Sequence, residues 1–301
     1  MQLGALFENW CHGPAGRTVI VTDDEQRPLA ETIRSEWSGC CDVILYREKE
    51  VWQPILPLLT PGDLVIALFS FDAFMDGARD DFPTFGKREW LRSRYAFVRL
   101  GISETSLRQG LSTEKALVQD KLREMSQYGE GQRLRVTNAA GTDITLAIHP
   151  FATCSHEIAE DGGSAFLPPS ETSSDVMPET ANGRIVVDVT VGQLYHFAHL
   201  AEHLGLVDAP VTLTVQNGMM TDVTGGEIAR RLKTALFALS PDCRKLVELG
   251  QGLSQMTPTG LIGVDESIID TCHFGFGDGG ACGVHLDVVI SQPTVQPYKG
   301  E

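Results

Sequence analysis

The chain has 301 residues, with 24 Lys and Arg against 40 Asp and Glu, so its formal net charge at pH 7 is −16. This acidic balance excludes nucleic acid as the main partner, because phosphate binding depends on clustered Lys and Arg. With 42% hydrophobic and 21% charged residues, the chain can bury a sizeable core and does not have the composition of a disordered protein. No apolar run approaches the roughly 20 residues of a membrane-spanning helix, which excludes a helical membrane protein.

The cysteines and the N-terminal residues predict a cytoplasmic protein. The first residues lack a basic segment followed by a continuous apolar stretch, so we expect no secretory signal. Seven Cys are scattered along the chain, with Cys40 and Cys41 adjacent. A disulfide scaffold would be short and dense in Cys, so we interpret these residues as reduced thiols that pack as small hydrophobic side chains.

The first part of the chain alternates strand and helix patterns. Short β-branched or apolar runs predict strands at 17–22, 41–46 and 64–69. Asp23 and Asp24 can cap a helix after the first strand. The third run has no polar alternation, which is typical of a parallel sheet covered by helices on both faces. We therefore predict an α/β N-terminal domain over residues 1–130.

Beyond residue 130 the pattern changes to short strands of the antiparallel type. They are expected at 134–137, 144–148, 184–190, 211–216 and 286–290, with one helix at 226–239. Asn182-Gly183 and Asn217-Gly218 are turn dipeptides beside these runs. The prediction for residues 131–301 is a strand-rich α+β domain.

Chemically active residues are concentrated near the C-terminus. His285 and Asp287 are two residues apart on a predicted strand, so both side chains project from one face. His273 precedes a glycine-rich segment that allows the two histidines to approach each other, and Glu248 supplies another carboxylate. Imidazoles and carboxylates together suit zinc, cobalt, manganese or ferrous iron, although ordinary polar packing is the commoner explanation of this spacing.

Five short motifs occur in the order and approximate spacing of one protein family. They are Gly141-Thr-Asp-Ile-Thr145, Leu167-Pro-Pro-Ser-Glu171 followed by Thr180-Ala-Asn-Gly183, Glu248-Leu-Gly-Gln-Gly252, Thr271-Cys-His-Phe-Gly-Phe-Gly277 and Val284-His-Leu-Asp-Val288. They resemble motifs of the thermophilic aminopeptidase T-type metallopeptidases, to which the dihydroxypyridine ring-cleaving dioxygenases are related. The resemblance covers at least residues 134–295 and implies an aminopeptidase T-like fold and a homodimer.

The resemblance also implies a pair of divalent metal ions. In the peptidases two glutamates, two histidines, an aspartate and a tyrosine hold the pair. Carried over by motif position, the ligands here are Glu171, Glu248, His273, His285 and Asp287.

The sequence departs from this pattern at three places. The segment between the two histidine motifs is short and contains no Tyr, and Ser170 stands where the family often has Gly. In the dioxygenase branch a histidine follows the Glu-Leu-Gly motif and helps to hold iron, whereas Gln255 falls near that position here. Neither relative's full set of ligands is therefore expected.

His196, His199 and His203 form a further cluster of imidazoles. On a helix they would lie on one face and could hold a second metal, although an amphipathic helix with histidines at its polar edge explains them as well.

These observations leave three hypotheses for function. We expect a peptide-binding protein with a degenerate metal centre, one that presents a peptide to modifying enzymes, because the departures all affect one site. The alternative is a metal-dependent aminopeptidase or other hydrolase, and a third possibility is an iron-dependent ring-cleaving dioxygenase. The ligand would be a peptide or a small molecule, and the cofactor a divalent metal or none.

Overall fold

The structure is a computed structural model. It describes residues 1–11, 16–84, 86–153, 157, 163–193, 195–196, 203–277 and 282–299, without the side chains of residues 193, 195, 196 and 203. These residues form two compact units, one comprising Met1–Lys115 with Cys154–Ser170, the other Ala116–Thr153 with Glu171–Glu301. No helix in the described ranges is both long enough and apolar enough to span a membrane.

Helices and strands alternate in the first unit and strands dominate the second. The helices are α1 (Leu3–Trp10), α2 (Arg27–Ser35), α3 (Lys49–Ile55), α4 (Phe71–Ala73), α5 (Arg79–Asp81), α6 (Glu104–Leu111), α7 (Lys115–Ser126), α8 (Glu227–Phe237) and α9 (Ile262–Asp265), with a π-helical turn at Phe74–Ala78 and 3₁₀ turns at Leu56–Leu58 and Pro241–Arg244.

The strands follow in chain order. They are β1 (Arg17–Thr22), β2 (Cys40–Leu45), β3 (Leu64–Leu68), β4 (Arg94–Val98), β5 (Gln132–Thr137), β6 (Asp143–Ile148), β7 (Ala152–Thr153), β8 (Ser164–Leu167), β9 (Glu171–Asp175), β10 (Asn182–Val187), β11 (Thr190–Gln193), β12 (Tyr195–His196), β13 (His203–Leu206), β14 (Val211–Gln216), β15 (Met219–Thr224), β16 (Leu246–Gly252), β17 (Thr271–Phe276), β18 (Val284–Ser291) and β19 (Thr294–Pro297).

The first unit contains a parallel sheet with the strand order β2-β1-β3-β4-β8. Strands β3 and β4 are buried along their whole length, because helices cover parallel sheets on both faces. The predicted α/β N-terminal architecture is confirmed.

The second unit contains two antiparallel sheets. Their orders are β15-β14-β10-β6-β5-β19 and β13-β11-β18-β17-β16-β9-β7, and β12 also pairs with β18. One hydrophobic core takes side chains from one face of each sheet and from α8. The predicted strand-rich α+β architecture is confirmed.

The division into units differs from the single boundary expected near residue 130. Strand β8 pairs in parallel with β4 and so returns to the first unit. Helix α7 instead precedes β5 within the second unit, where Met125 joins the core. Pairing between segments distant in sequence decides this division, and local composition does not reveal it.

Two local predictions were wrong. His196 lies in β12 and His203 begins β13, so the helix expected across the His196, His199 and His203 cluster does not form at either end. His199 and the side chains of the other two lie outside the described residues. Gly183 is part of β10, not of a turn, and a Cβ there would come 2.3 Å from the Asp143 carbonyl oxygen of β6.

A buried carboxylate holds the segment between β16 and β17. Oδ1 of Asp265 accepts hydrogen bonds from the amide and hydroxyl of Thr259, at 2.7 and 2.9 Å. Its Oδ2 accepts from the Gly260 amide at 2.8 Å and from the Thr190 hydroxyl on β11. The segment is thereby tied to the neighbouring strand β11 through Asp265 and Thr190, which are both fully buried.

We expect Asp265→Ala to lower the free energy of unfolding by about 3 kcal/mol, because it leaves the buried Thr190 hydroxyl and Gly260 amide without an acceptor. Asp208→Ala is the matched control at an exposed carboxylate and should change stability by less than about 0.5 kcal/mol. Chemical denaturation measures both, and equal effects of the two substitutions would contradict a structural role for Asp265.

Candidate metal centre

The alternation of side chains along two adjacent strands separates the core from a polar face. Cys272, Phe274 and Phe276 of β17 point into the hydrophobic core, so His273 and Gly275 point to the opposite face. On β18 the alternation places Leu286 in the core and His285 with Asp287 on the face shared with His273. Two imidazoles and a carboxylate are thus brought to one side of the sheet by burial of their neighbours.

Two more strands extend this polar face. Strand β16 places Glu248 opposite Gly275, and β9 places Glu171 opposite Gly252. The structure therefore brings together all five residues that the sequence singled out. They divide into two groups with potential ligand atoms within 4.8 Å of one another, Glu171 with Glu248 and His273, and Glu248 with His285 and Asp287.

Glu248 belongs to both groups. Its Oε1 lies 3.8 Å from Nε2 of His273, and its Oε2 lies 3.5 Å from Nε2 of His285. A second carboxylate lies at the same nitrogen of each imidazole and completes the group, with Glu171 at 2.8 Å from Nε2 of His273 and Asp287 at 3.1 Å from Nε2 of His285. One carboxylate thus directs an oxygen towards each half of the site.

The orientation of His285 is determined by a backbone contact. Its Nδ1 lies 2.8 Å from the carbonyl oxygen of Gly277, which can only accept, so Nδ1 carries the proton and donates. Nε2 is then the nitrogen that faces Glu248 and Asp287. In many metal sites the histidine nitrogen that does not bind the metal donates a hydrogen bond to a carbonyl oxygen, and this bond orients the ring.

His273 is held by packing against a glycine. Its side chain is 1% exposed and lies over Gly250, where an added Cβ would come 2.0 Å from the ring. A Cβ at Gly275 would similarly come 2.9 Å from the ring of His285 and 3.0 Å from Asp287. These two glycines leave the space that the imidazoles occupy, and the sequence analysis did not assign either of them that role.

Mutual charge shifts the pKa values of the group. The charge of Asp287 outweighs burial and raises the pKa of His285 to about 12. Burial disfavours the charged form of His273, yet the charge of Glu171 raises its pKa well above the ordinary value. Burial likewise disfavours ionised Glu248, but the two neighbouring histidines, at 3.8 and 3.5 Å, lower its pKa. Without a metal, the carboxylates therefore favour the protonated form of each imidazole.

The residues fit a divalent metal ion. Oδ1 of Asp287 is buried and has no well-aligned hydrogen-bond donor among the described residues, although it faces an imidazole nitrogen. A cation that replaces the imidazole proton would satisfy both atoms. Mixed imidazole and carboxylate donors suit zinc, cobalt, manganese or iron.

Asp175 is a further carboxylate that the sequence analysis missed. It lies directly opposite Glu248 in the pairing of β9 with β16 and is exposed, so both side chains are on the same face. Its spacing of four residues from Glu171 on one strand is the signal that could have identified it.

The departures from the family motifs have different structural outcomes. Ser170 is buried in the first unit, and its hydroxyl accepts a hydrogen bond from Arg99, so this side chain has a structural partner there. Gln255 lies in the segment that follows β16 and is exposed.

Gly250→Ala should displace His273 and weaken metal binding roughly 10-fold to 100-fold, the range seen when the support of a ligand is lost. Titration with zinc against a competing chelator measures the affinity. Gly129→Ala is the matched control, because a Cβ there meets nothing within 4 Å. Unchanged affinity in a folded Gly250→Ala protein would contradict the placement of His273 as a ligand.

Metal binding should release protons, because each metal-bound imidazole must lose the proton that the raised pKa retains. We expect about one proton per imidazole at pH 7, and an affinity that rises with pH below the pKa of about 12 of His285. Calorimetry in buffers of different ionisation enthalpy counts the protons, and His285→Ala should release about one fewer. A binding enthalpy that is independent of the buffer would contradict this assignment.

Comparison with known proteins supports the same architecture. The family model for NicX, 2,5-dihydroxypyridine 5,6-dioxygenase, matches residues 103–258, just over half of the chain. No curated protein sequence matches the chain.

Two solved structures are similar over almost the whole chain. The 2,5-dihydroxypyridine dioxygenase from Pseudomonas putida KT2440 superposes with a TM-score of 0.61 at 16% identity, covering 98% of this chain and 93% of that one. AmpT from Thermus thermophilus has a TM-score of 0.55 at 12% identity, with 98% and 94% covered. At these identities the likeness shows a shared fold.

The motifs had indicated both kinds of relative, and both are confirmed. The chain has the aminopeptidase T-like fold and belongs to the family of NicX, 2,5-dihydroxypyridine 5,6-dioxygenase.

Proposed function

We propose that the protein is a metal-dependent hydrolase that uses two divalent ions to activate water. The observation that carries this proposal is the position of Glu248, which directs one carboxylate oxygen towards each histidine. A shared carboxylate is suited to two ions about 3.5 to 4 Å apart, the spacing of co-catalytic hydrolase centres.

The residues of the site would have two roles, to hold the ions and to accept a proton. Glu171 and His273 would hold one ion, His285 and Asp287 the other, and Glu248 both. Bound ions lower the pKa of a water and polarise the bond to be cleaved. A carboxylate oxygen of Glu171 or Glu248 would accept the proton that the water loses.

The composition of the two groups favours hydrolysis over ring cleavage. Iron-dependent oxygenases of the non-haem type bind one iron with two histidines and one carboxylate. Each group here has one histidine and two carboxylates, and Gln255 falls near the position of the histidine that follows the Glu-Leu-Gly motif in the dioxygenase branch. One fold supports unrelated reactions, so membership of a family named for a dioxygenase does not decide the chemistry.

A peptide is the substrate class that we propose. Asp175 lies opposite Glu248 on the same sheet face and is exposed, where its charge would attract the ammonium group of a peptide. The net charge of −16 also favours a cationic partner. Peptide binding, expected from the sequence, thus becomes substrate binding, and the five clustered donors favour a working centre over a degenerate one. The homodimer and the cytoplasmic location remain predictions.

We expect the protein loaded with zinc, cobalt or manganese to hydrolyse short peptides with a free amino terminus faster than their N-acetylated forms. Glu248→Gln and His285→Ala should each lower kcat/KM roughly 100-fold or more, because each removes stabilisation of the reacting charge. A chromogenic peptide library measured with each metal tests this.

The matched controls are Glu130→Gln and His149→Ala, because these two residues form an exposed ion pair with a 3.0 Å contact outside the site. Both controls should retain activity. Oxygen consumption with 2,5-dihydroxypyridine by the iron(II)-loaded protein would favour ring cleavage instead. Peptide binding without turnover under any metal would favour the degenerate binding protein.

A further inference from the structure

Two cysteines lie together where the chain enters two of the ligand-bearing strands. Cys243 is in the 3₁₀ turn Pro241–Arg244, directly before β16, and Cys282 precedes β18. The thiol of Cys243 donates to the carbonyl oxygen of Cys282 at 3.4 Å and lies close enough to the Cys282 thiol to interact with it. Cys243 is buried, whereas Cys282 is partly exposed.

The Cys282 sulfur also contacts the residue that orients His285. A Cβ at Gly277 would come 3.2 Å from this sulfur, so the thiol packs closely against the Gly277 backbone. The Gly277 carbonyl accepts the hydrogen bond of His285 at 2.8 Å, and its amide donates to Lys245 at 2.8 Å. A movement of Cys282 would therefore change the position of a group that holds a candidate ligand.

We propose that Cys243 and Cys282 form a reversible oxidation site whose disulfide displaces the Gly277 carbonyl and weakens metal binding by His285, Asp287 and Glu248. The pairing of the two thiols stands on their own contact, and only its consequence for metal binding rests on the proposed function.

The oxidant class is a peroxide. The Cys282 sulfur attacks one peroxide oxygen, and the O–O bond breaks. Cys282 becomes a sulfenic acid, and one water is released. Cys243 then attacks that sulfur, the S–O bond breaks, and a second water leaves as the disulfide forms. Two thiols are oxidised, hydrogen peroxide is reduced to two waters, and both thiol protons end in water.

The environments of the two thiols set this order. Burial raises the pKa of Cys243 to about 11, which keeps it a thiol near neutral pH and makes it slow to react with peroxide. Cys282 is the accessible partner and reacts first. A dithiol reductant would reverse the disulfide by exchange.

The other described cysteines do not offer the same pair. Cys40 and Cys41 are adjacent on β2, so their side chains point to opposite faces of the sheet. Cys11 and Cys272 are buried, and burial raises the pKa of each to about 12, so neither is a reactive thiolate.

The test treats the reduced, metal-free full chain with hydrogen peroxide. Peptide mass mapping should find residues 243 and 282 cross-linked with the loss of two hydrogens. Zinc titration against a chelator should then show one of the two ions bound about 10-fold or more weakly than in the reduced protein. Dithiothreitol should restore the affinity.

Cys282→Ser should abolish both the cross-link and the loss of affinity, and Cys40→Ser, at an exposed thiol, should leave both intact. Oxidation without a 243–282 cross-link would overturn the site itself. A cross-link with unchanged zinc affinity would overturn its effect on the metal centre. If the reduced protein binds no metal, the proposed function fails, and the cross-link still decides whether the thiol pair exists.

Discussion

Repulsion among carboxylates is the constraint on which the polar face of the second unit depends. Among the described residues, Glu171, Glu248 and Asp287 share one sheet face with two histidines that balance part of their charge, and Asp175 adds a fourth negative charge beside Glu248. Like charges opposite each other on adjacent strands are destabilising. Protonated imidazoles offset this cost when no metal is bound, and divalent ions would offset it with the imidazoles neutral.

The second unit tolerates repulsion among these carboxylates because the opposite face of the same strands is tightly packed. Phe274, Phe276 and Leu286 are fully buried between ligand positions, so the backbone that carries the ligands is held by the core. Gly250 and Gly275 then provide space directly beneath the imidazoles. The geometry of the site therefore depends on core packing and on the lack of a side chain at Gly250 and at Gly275.

The same fold is found in a dihydroxypyridine dioxygenase and in AmpT, so architecture does not select the reaction. The proposed reaction depends instead on the set of potential metal ligands. A carboxylate shared between two groups suits a pair of ions, whereas two histidines and one carboxylate suit a single iron. The Gly277 carbonyl orients one of the potential ligands, His285. Cys282 packs against this same glycine.

The sequence alone determined the strands with unbroken β-branched runs, such as Arg17–Thr22, because local propensity and burial agree there. It also singled out the five residues that the structure brings together on one sheet face, because the motifs that contain them are short and contiguous. Only the tertiary structure decided that β8 returns to the first unit, that Glu248 faces both histidines, that Asp175 lies beside it, and that Cys243 meets Cys282. These contacts join segments far apart in the chain. Their register depends on which side chains pack into a common core, and a local sequence pattern does not encode that choice.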